Sequence, residues 1–108
     1  MTVKKETATE RYVVYNATYG GFGLSEKAMT WLEERAVSRE EMGYQGCDLW
    51  RHDQLLALCV MTLGSKEASG AHAELALHRL TDTKYYIDEY DGSESVIEPS
   101  TMPWIKAE

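Results

Sequence analysis

The sequence lacks an apolar run long enough to span a bilayer or to form the hydrophobic part of a secretion signal. We therefore expect a protein without a membrane segment that acts in the cytoplasm. Cysteine is also scarce, with Cys47 and Cys59 as the whole set. Without a secretion signal, these two residues are expected to be reduced thiols and not a disulfide, although they could pair in principle.

Basic residues are few, with 11 Lys and Arg against 18 Asp and Glu, which gives a net charge of −7 with neutral histidines. Non-specific binding to duplex nucleic acid depends on neutralising phosphates with Lys and Arg. This charge balance therefore excludes that class of partner. A small nucleotide is still compatible with it, because one arginine and a row of backbone N–H groups can hold a phosphate.

Recognisable metal and nucleophile patterns are missing as well. His52, His72 and His78 show no zinc spacing with either cysteine, and there is no Cys-x-x-Cys. The acids around Asp91 lack the spacing of a calcium loop and are expected to form a solvated acidic hairpin. No Ser-His-Asp or Cys-His arrangement is legible. The sequence thus predicts no metal and no cofactor, and favours a binding protein over an enzyme.

What the chain does contain is an alternation of strand and helix patterns over its 108 residues. Alternating residues predict strands, 3.6-residue periodicity predicts helices, and Asp91-Gly92 predicts a two-residue hairpin turn. The predicted elements are a strand over Glu10–Thr18, helices over Ser25 to about Glu41 and Gln54–Leu63, a strand over Ala73–His78, and hairpin strands over Lys84–Tyr90 and Ser93–Glu98.

This order, β-α-α-β-β-β, predicts a single small α+β domain over residues 1–108, with two helices packed on one face of a mainly antiparallel sheet. Residues 1–9 and 105–108 are expected to be flexible, and Trp104 to fold back onto the domain. The second helix is apolar nearly all round. Such a helix is buried on more than one side, either under a sheet or at a subunit contact, so we expect a homo-oligomer, with a fully covered monomer as the alternative.

A glycine-rich loop follows the first strand and reads Tyr19-Gly20-Gly21-Phe22-Gly23-Leu24-Ser25. Glycine adopts positive φ and lets a ligand approach the backbone, and a strand, loop and helix start can present N–H groups to an anion. The spacing matches neither a Walker loop nor a dinucleotide fingerprint. The segment is therefore either the backbone wall of a binding pocket or a tight turn.

Three side chains are candidates to complete such a pocket. Tyr19 and Phe22 could stack on a base, although core packing is the alternative for at least one of them. Arg51 has the planar fork that grips phosphate or carboxylate, and a salt bridge to one of the many acids is the favoured alternative.

The glycine loop occurs together with Arg51-x-Asp53-x-Leu55 and with Tyr90-Asp91-Gly92-Ser93-Glu94. In this combination the chain resembles, from Tyr12 to Trp104, a family of small proteins of tailed phages, prophages and large DNA viruses that has no assigned activity. It departs from the family at Arg51-His52-Asp53-Gln54, where two aspartates and a proline are more common, so no acid role carries over to position 52.

The resemblance implies a viral origin, and compact accessory phage proteins often act by binding host components. We therefore expect a non-catalytic protein that sequesters a small nucleotide-derived host defence signal in the host cytoplasm, with a neighbouring subunit completing the pocket. An acidic inhibitor of a host protein is the alternative, and a small nucleotide-acting enzyme using Asp53 or Glu89 is the third hypothesis. The candidate ligand-binding residues are Asn16, Tyr19, Gly20, Gly21, Phe22, Ser25, Arg51, Asp53, Tyr90 and Trp104.

Overall fold

A computed structural model describes residues 10–101 and residue 107. Trp104 and most residues of the two predicted flexible ends lie outside this described part. The helices and strands are β1 (Tyr12–Asn16), α1 (Glu26–Glu33), α2 (Arg39–Met42), α3 (Gln54–Ala68), β2 (Leu75–Arg79), β3 (Tyr86–Tyr90) and β4 (Ser93–Ile97). The predicted α+β class and element order are confirmed, with α2 as an additional short helix.

The strands form two antiparallel pairs and not one continuous sheet. β1 pairs with β2, with Val14 opposite Leu77, and β3 pairs with β4. β4 contacts β1 but does not join its hydrogen-bond ladder. The second edge of β1 is therefore occupied by something other than a strand, and this shapes the candidate site.

One hydrophobic core lies between the helices and the first strand pair. α3 packs on β1 and β2, and α1 packs on α3. Strand alternation sends Val14 into this core and Val13 to the opposite face. Val13 is also fully buried, so the opposite face of β1 is covered as well. The buried core residues are Val14, Leu24, Ala28, Met29, Trp31, Leu32, Met42, Leu56, Ala57, Cys59, Val60, Ala68 and Leu75.

The first helix is shorter than its periodicity predicts. Helix α1 begins at the cap Ser25 and ends near Glu34, and Ala36 adopts a φ of 72° that breaks the helix. Ser38 then starts α2 with a capping box, in which Ser38 and Glu41 each accept the other's backbone N–H. Ser-x-x-Glu is a helix start signal, and it competes with continuation of the preceding helix.

The second predicted helix begins where the sequence predicts, and its regular part ends at the predicted glycine. Asp53 caps α3, and Gly64 interrupts regular helix with a φ of 86° before one further turn. The side of α3 that bears Leu56 and Cys59 is buried, whereas Leu58 and Met61 are about half exposed. Within residues 10–101, no helix is both long enough and apolar enough to cross a membrane.

The predicted hairpin turn is also present. Asp91 and Gly92 have φ values of 54° and 89°, as a type I′ turn requires at both central positions. Both cysteines are free thiols, with Cys47 exposed and Cys59 buried. The Cys59 thiol donates to the Ala28 carbonyl at 3.7 Å, and burial raises its pKa to about 11.

Candidate functional site

The glycine loop connects β1 to the start of α1, and its glycines have different roles. Gly20 and Gly21 have φ values of 112° and 95°. A Cβ atom on Gly20 would lie 2.5 Å from the carbonyl oxygen of His72, whereas one on Gly21 would face open space. Gly20 is therefore required by close packing as well as by its φ. Gly21 is required by its φ alone and leaves bare backbone.

The hairpin turn packs directly on this loop. A Cβ atom on Gly92 would lie 2.5 Å from the Gly21 nitrogen and 2.7 Å from the Gly20 nitrogen. Only a glycine allows backbone to approach backbone this closely. The two sequence motifs that occur together, the glycine loop and the Asp91-Gly92 hairpin, are thus in contact in the folded chain.

Asn16 fixes the hairpin turn beside the loop. Its side chain is fully buried, and its amide nitrogen donates to the carbonyls of Thr18 at 2.6 Å and Gly92 at 2.8 Å. Its amide oxygen accepts the N–H of Glu74 at 2.8 Å. Every polar group of this predicted ligand-binding side chain is therefore engaged within the protein.

Arg51 is engaged in the same network. Its guanidinium donates to both carboxylate oxygens of Glu94, at 2.7 and 2.9 Å, and lies 3.7 Å from the centre of the Phe22 ring. This ion pair confirms the salt bridge that the sequence favoured for Arg51 over ligand binding. Phe22 is partly buried against the core, so both predicted pocket side chains hold the fold together.

The Arg51–Glu94 pair also closes the second edge of β1. The carbonyl of Arg51 accepts the N–H of Val14 at 2.8 Å, and the carboxylate of Glu94 accepts the N–H of Asn16 at 2.8 Å. A side chain and a loop thus take the place of a neighbouring strand. The prediction of a solvated acidic hairpin is therefore wrong for Glu94, whose side chain is only 8% exposed.

Two more predicted ligand-binding residues are helix caps. The Ser25 hydroxyl accepts the N–H of Ala28 at 3.0 Å and donates to the Glu67 carbonyl at 2.6 Å. The Asp53 carboxylate accepts the N–H of Leu56 at 3.0 Å. Each side chain satisfies an N–H group that the first helical turn leaves unpaired, which accounts for its position without a ligand.

The remaining predicted residues differ in their surroundings. Tyr19 and Tyr90 are 63% and 76% exposed, Tyr19 in the glycine loop and Tyr90 at the end of β3. Trp104 lies outside the described residues. Asn16, Gly20, Gly21, Phe22 and Arg51 are brought together with the hairpin, and they form a packed junction.

On its other side the glycine loop lines an open cleft of about 220 Å³. The Leu24 N–H donates to the Gln45 carbonyl at 2.9 Å, and the Gly70 N–H donates to the Gly23 carbonyl at 2.8 Å, which holds three chain segments around the cleft. Its lining consists of Gly20–Gly23, Tyr44, Gln45 and Gly70–Ala73. Tyr44 is 79% exposed, so one face of its ring is free to meet a ligand.

A larger cleft of about 660 Å³ adjoins the first across the segment Gly70–Ala73. Tyr19, Lys66 and His72 are exposed residues of its lining. Lys66 has no ion pair in the described part of the chain. The two clefts together therefore combine bare glycine backbone, two tyrosine rings and a lysine that has no ion pair with a described residue.

Sequence reasoning missed Tyr44, Lys66 and His72 as cleft residues. Tyr44 lies 22 positions before Lys66, and no motif spacing relates the three residues. The one available signal was Tyr44, an aromatic residue in the connection between α2 and α3 that nothing else explained.

The titratable groups elsewhere are mostly paired. The Nδ1 atom of His52 lies 2.8 Å from the hydroxyl oxygen of Tyr85. Glu98 is buried and accepts hydrogen bonds from His78 and from the N–H groups of Thr81 and Asp82. The hydrogen bond from His78, supported by these N–H groups, lowers the pKa of Glu98 to about 2. Among residues 10–101, no group of three His, Cys, Asp or Glu residues is placed to hold a metal ion.

Comparison with known proteins gives no match to a family model, to a curated protein or to a solved structure.

Proposed function

We propose that this is a non-catalytic binding protein whose clefts beside the glycine loop hold a small nucleotide-like ligand. The observation that carries the proposal is the cleft of about 220 Å³ between the bare backbone of Gly21 and the exposed ring of Tyr44. Exposed aromatic rings stack on bases whatever the base identity. Sites for small ligands range from roughly 300 to 1,000 Å³, a range that the adjoining larger cleft reaches.

The charges on this face suit a phosphate-bearing ligand. Lys66 and His72 lie on the wall of the larger cleft, and Lys66 forms no ion pair with a described side chain, although Glu67 interacts with it electrostatically. Glu74 also lines that cleft, so the bound group would lie on the Lys66 side. Asp53 and Glu89, which the enzyme hypothesis needs as acid or base, do not line either cleft and cap a helix and a turn instead.

The resemblance to a phage family indicates what the binding of such a ligand would achieve. A viral protein that binds a nucleotide-derived host defence signal without turning it over would lower the free concentration of that signal. We propose sequestration of such a signal in the host cytoplasm as the function. The site differs from the one expected from sequence, because Tyr44, Lys66 and His72 take the places expected for Arg51 and Phe22.

Homo-oligomer formation is part of the proposal. Leu58 and Met61 lie on α3, are about half exposed, and form an apolar strip that the described part of the chain leaves partly open. A second subunit would bury this strip. Equilibrium sedimentation of the wild-type protein and of Met61→Glu tests it, with a shift toward monomer expected for the variant.

Ligand binding can be tested directly. Protein purified from infected or expressing cells would be heated, and the released small molecules identified by mass spectrometry. Calorimetry with cyclic nucleotides and ADP-ribose derivatives would follow, on wild type and on Tyr44→Ala, His72→Ala and Trp50→Ala. Because stacking contributes about 1–3 kcal/mol per base, Tyr44→Ala should weaken binding at least fivefold. Trp50 is equally exposed but lies outside the clefts, so Trp50→Ala is the matched control. No binding at micromolar concentrations would refute the nucleotide proposal.

A further inference from the structure

The outer edge of β3 is unpaired in the described part of the chain. β3 pairs with β4 on one side, and no other strand within residues 10–101 pairs with it. Across the two-residue turn, Tyr90 and Ser93 form the first hydrogen-bonded pair, and such pairs alternate along the ladder. The N–H and C=O groups of Ile87 and Glu89 therefore point away from β4 and toward the free edge.

An apolar groove of about 540 Å³ runs beside this edge. One wall is residues 83–85 together with Ile87 of β3, and the other is the connection between α2 and α3. The lining residues are Cys47, Leu49, Trp50, Arg51, His52, Thr83, Lys84, Tyr85 and Ile87. The groove thus joins unpaired backbone groups to pockets for side chains, which are the two elements of strand addition.

Trp50 is the most conspicuous residue of this groove. Its side chain is 74% exposed, and its ring lies 5.7 Å from that of His52. His52 in turn contacts the Tyr85 ring edge-on at 5.7 Å and is hydrogen-bonded to its hydroxyl. A tryptophan held exposed at one end of a fixed row of rings is the type of residue that anchors protein interfaces.

The charge along β3 indicates which kind of added strand would bind at its free edge. Asp88, Glu89 and Asp91 are exposed, and none forms an ion pair with another described residue. An added strand with basic side chains would neutralise them. A second copy of this chain fits poorly, because antiparallel pairing of two β3 edges would bring the same acids together across the strands.

We propose that β3 and this groove bind an extended, basic segment of a partner protein as an added strand. Its backbone pairs with Ile87 and Glu89, its apolar side chains enter the groove against Trp50, and its basic side chains meet Asp88 and Asp91. The groove shares no lining residue with the clefts beside the glycine loop, so this inference does not rest on the proposed function. It identifies the surface that the alternative function, inhibition of a host protein, would use.

The test uses fluorescein-labelled octapeptides and fluorescence anisotropy. A peptide of alternating Lys and Val should bind saturably, at least tenfold more tightly than the alternating Glu and Val peptide. Two further Lys-Val peptides carry backbone N-methyl groups, one on its valines and the other on its lysines. Since only alternate N–H groups of an added strand face β3, one of these should lose binding at least fivefold and the other should keep it.

Protein variants locate the binding site. Trp50→Ala should weaken binding of the Lys-Val peptide at least tenfold. Tyr44→Ala, which removes an equally exposed ring outside the groove, should leave this binding unchanged. Absence of saturable binding, equal loss with both N-methylated peptides, or insensitivity to Trp50→Ala would overturn the proposal. Dissociation of a dimer by the Lys-Val peptide would also overturn it, because a second copy of the chain would then be the occupant of the groove. A tenfold gain in peptide affinity on Trp104→Ala would do the same, because the chain's own end would then be the occupant.

Discussion

The guanidinium of Arg51 and the carboxylate of Glu94 form a two-point ion pair, with N–O distances of 2.7 and 2.9 Å, at the junction between the two strand pairs. The side chains are 19% and 8% exposed. The same two residues accept the N–H groups of Val14 and Asn16 on the edge of β1. The pair therefore joins the hairpin to the rest of the fold.

Glu94→Gln should destabilise the protein by about 3 kcal/mol, because it leaves the Arg51 charge unpaired in a partly buried position. Urea unfolding followed by circular dichroism measures this. Glu34→Gln, which removes an exposed pair with Arg35, is the control and should change stability by less than about 1 kcal/mol. Equal effects of the two variants would mean that Arg51–Glu94 is energetically no more than a surface pair.

The glycines of the loop should differ in their tolerance of alanine. Gly20→Ala places a methyl group 2.5 Å from a backbone carbonyl, whereas Gly21→Ala meets only the cost of its positive φ, about 1–3 kcal/mol. Thermal unfolding should therefore show the larger loss for Gly20→Ala. If Gly21→Ala folds well but loses nucleotide binding, the bare backbone at Gly21 is part of the site.

Acid stability should depend on Glu98. Its pKa is lowered from an ordinary value of 4.5 to about 2, so in this pH range the unfolded chain takes up the proton first. The contribution of Glu98 is fully present above about pH 4.5 and is lost as pH falls through about 2. Urea midpoints measured from pH 6 down to pH 2 should fall, and Glu98→Gln should flatten this fall. An unchanged slope in the variant would assign the acid sensitivity to other carboxylates.

The two cysteines should react very differently with a thiol reagent. Cys47 is exposed, whereas Cys59 is buried with a pKa raised to about 11. Reaction with Ellman's reagent at pH 8 should release one equivalent quickly in the folded protein and two in urea. Cys47→Ser should abolish the fast equivalent. A fast second equivalent in native protein would show that α3 opens readily.

The sequence was sufficient for the element order, the Asp91-Gly92 turn and the caps at Ser25 and Asp53, because each depends on neighbours within about four residues. The break at Ala36 was missed since local periodicity continues through it. A salt bridge was the favoured alternative for Arg51 and is confirmed, but the partners that Asn16 and Arg51 use could not be predicted. Their partners, Gly92 and Glu94, lie far along the chain, and a single sequence gives no measure of which distant groups meet.

The bond between the Asn16 N–H and the Glu94 carboxylate joins residues 78 positions apart. During synthesis, β1 leaves the ribosome long before Glu94 does, and the Asn16 N–H on its second edge lacks this partner until the hairpin follows. An open strand edge is a template for pairing with other chains. The hairpin therefore completes this edge of β1, and a chain cut short before Glu94 would leave that part of the edge open for pairing with other chains.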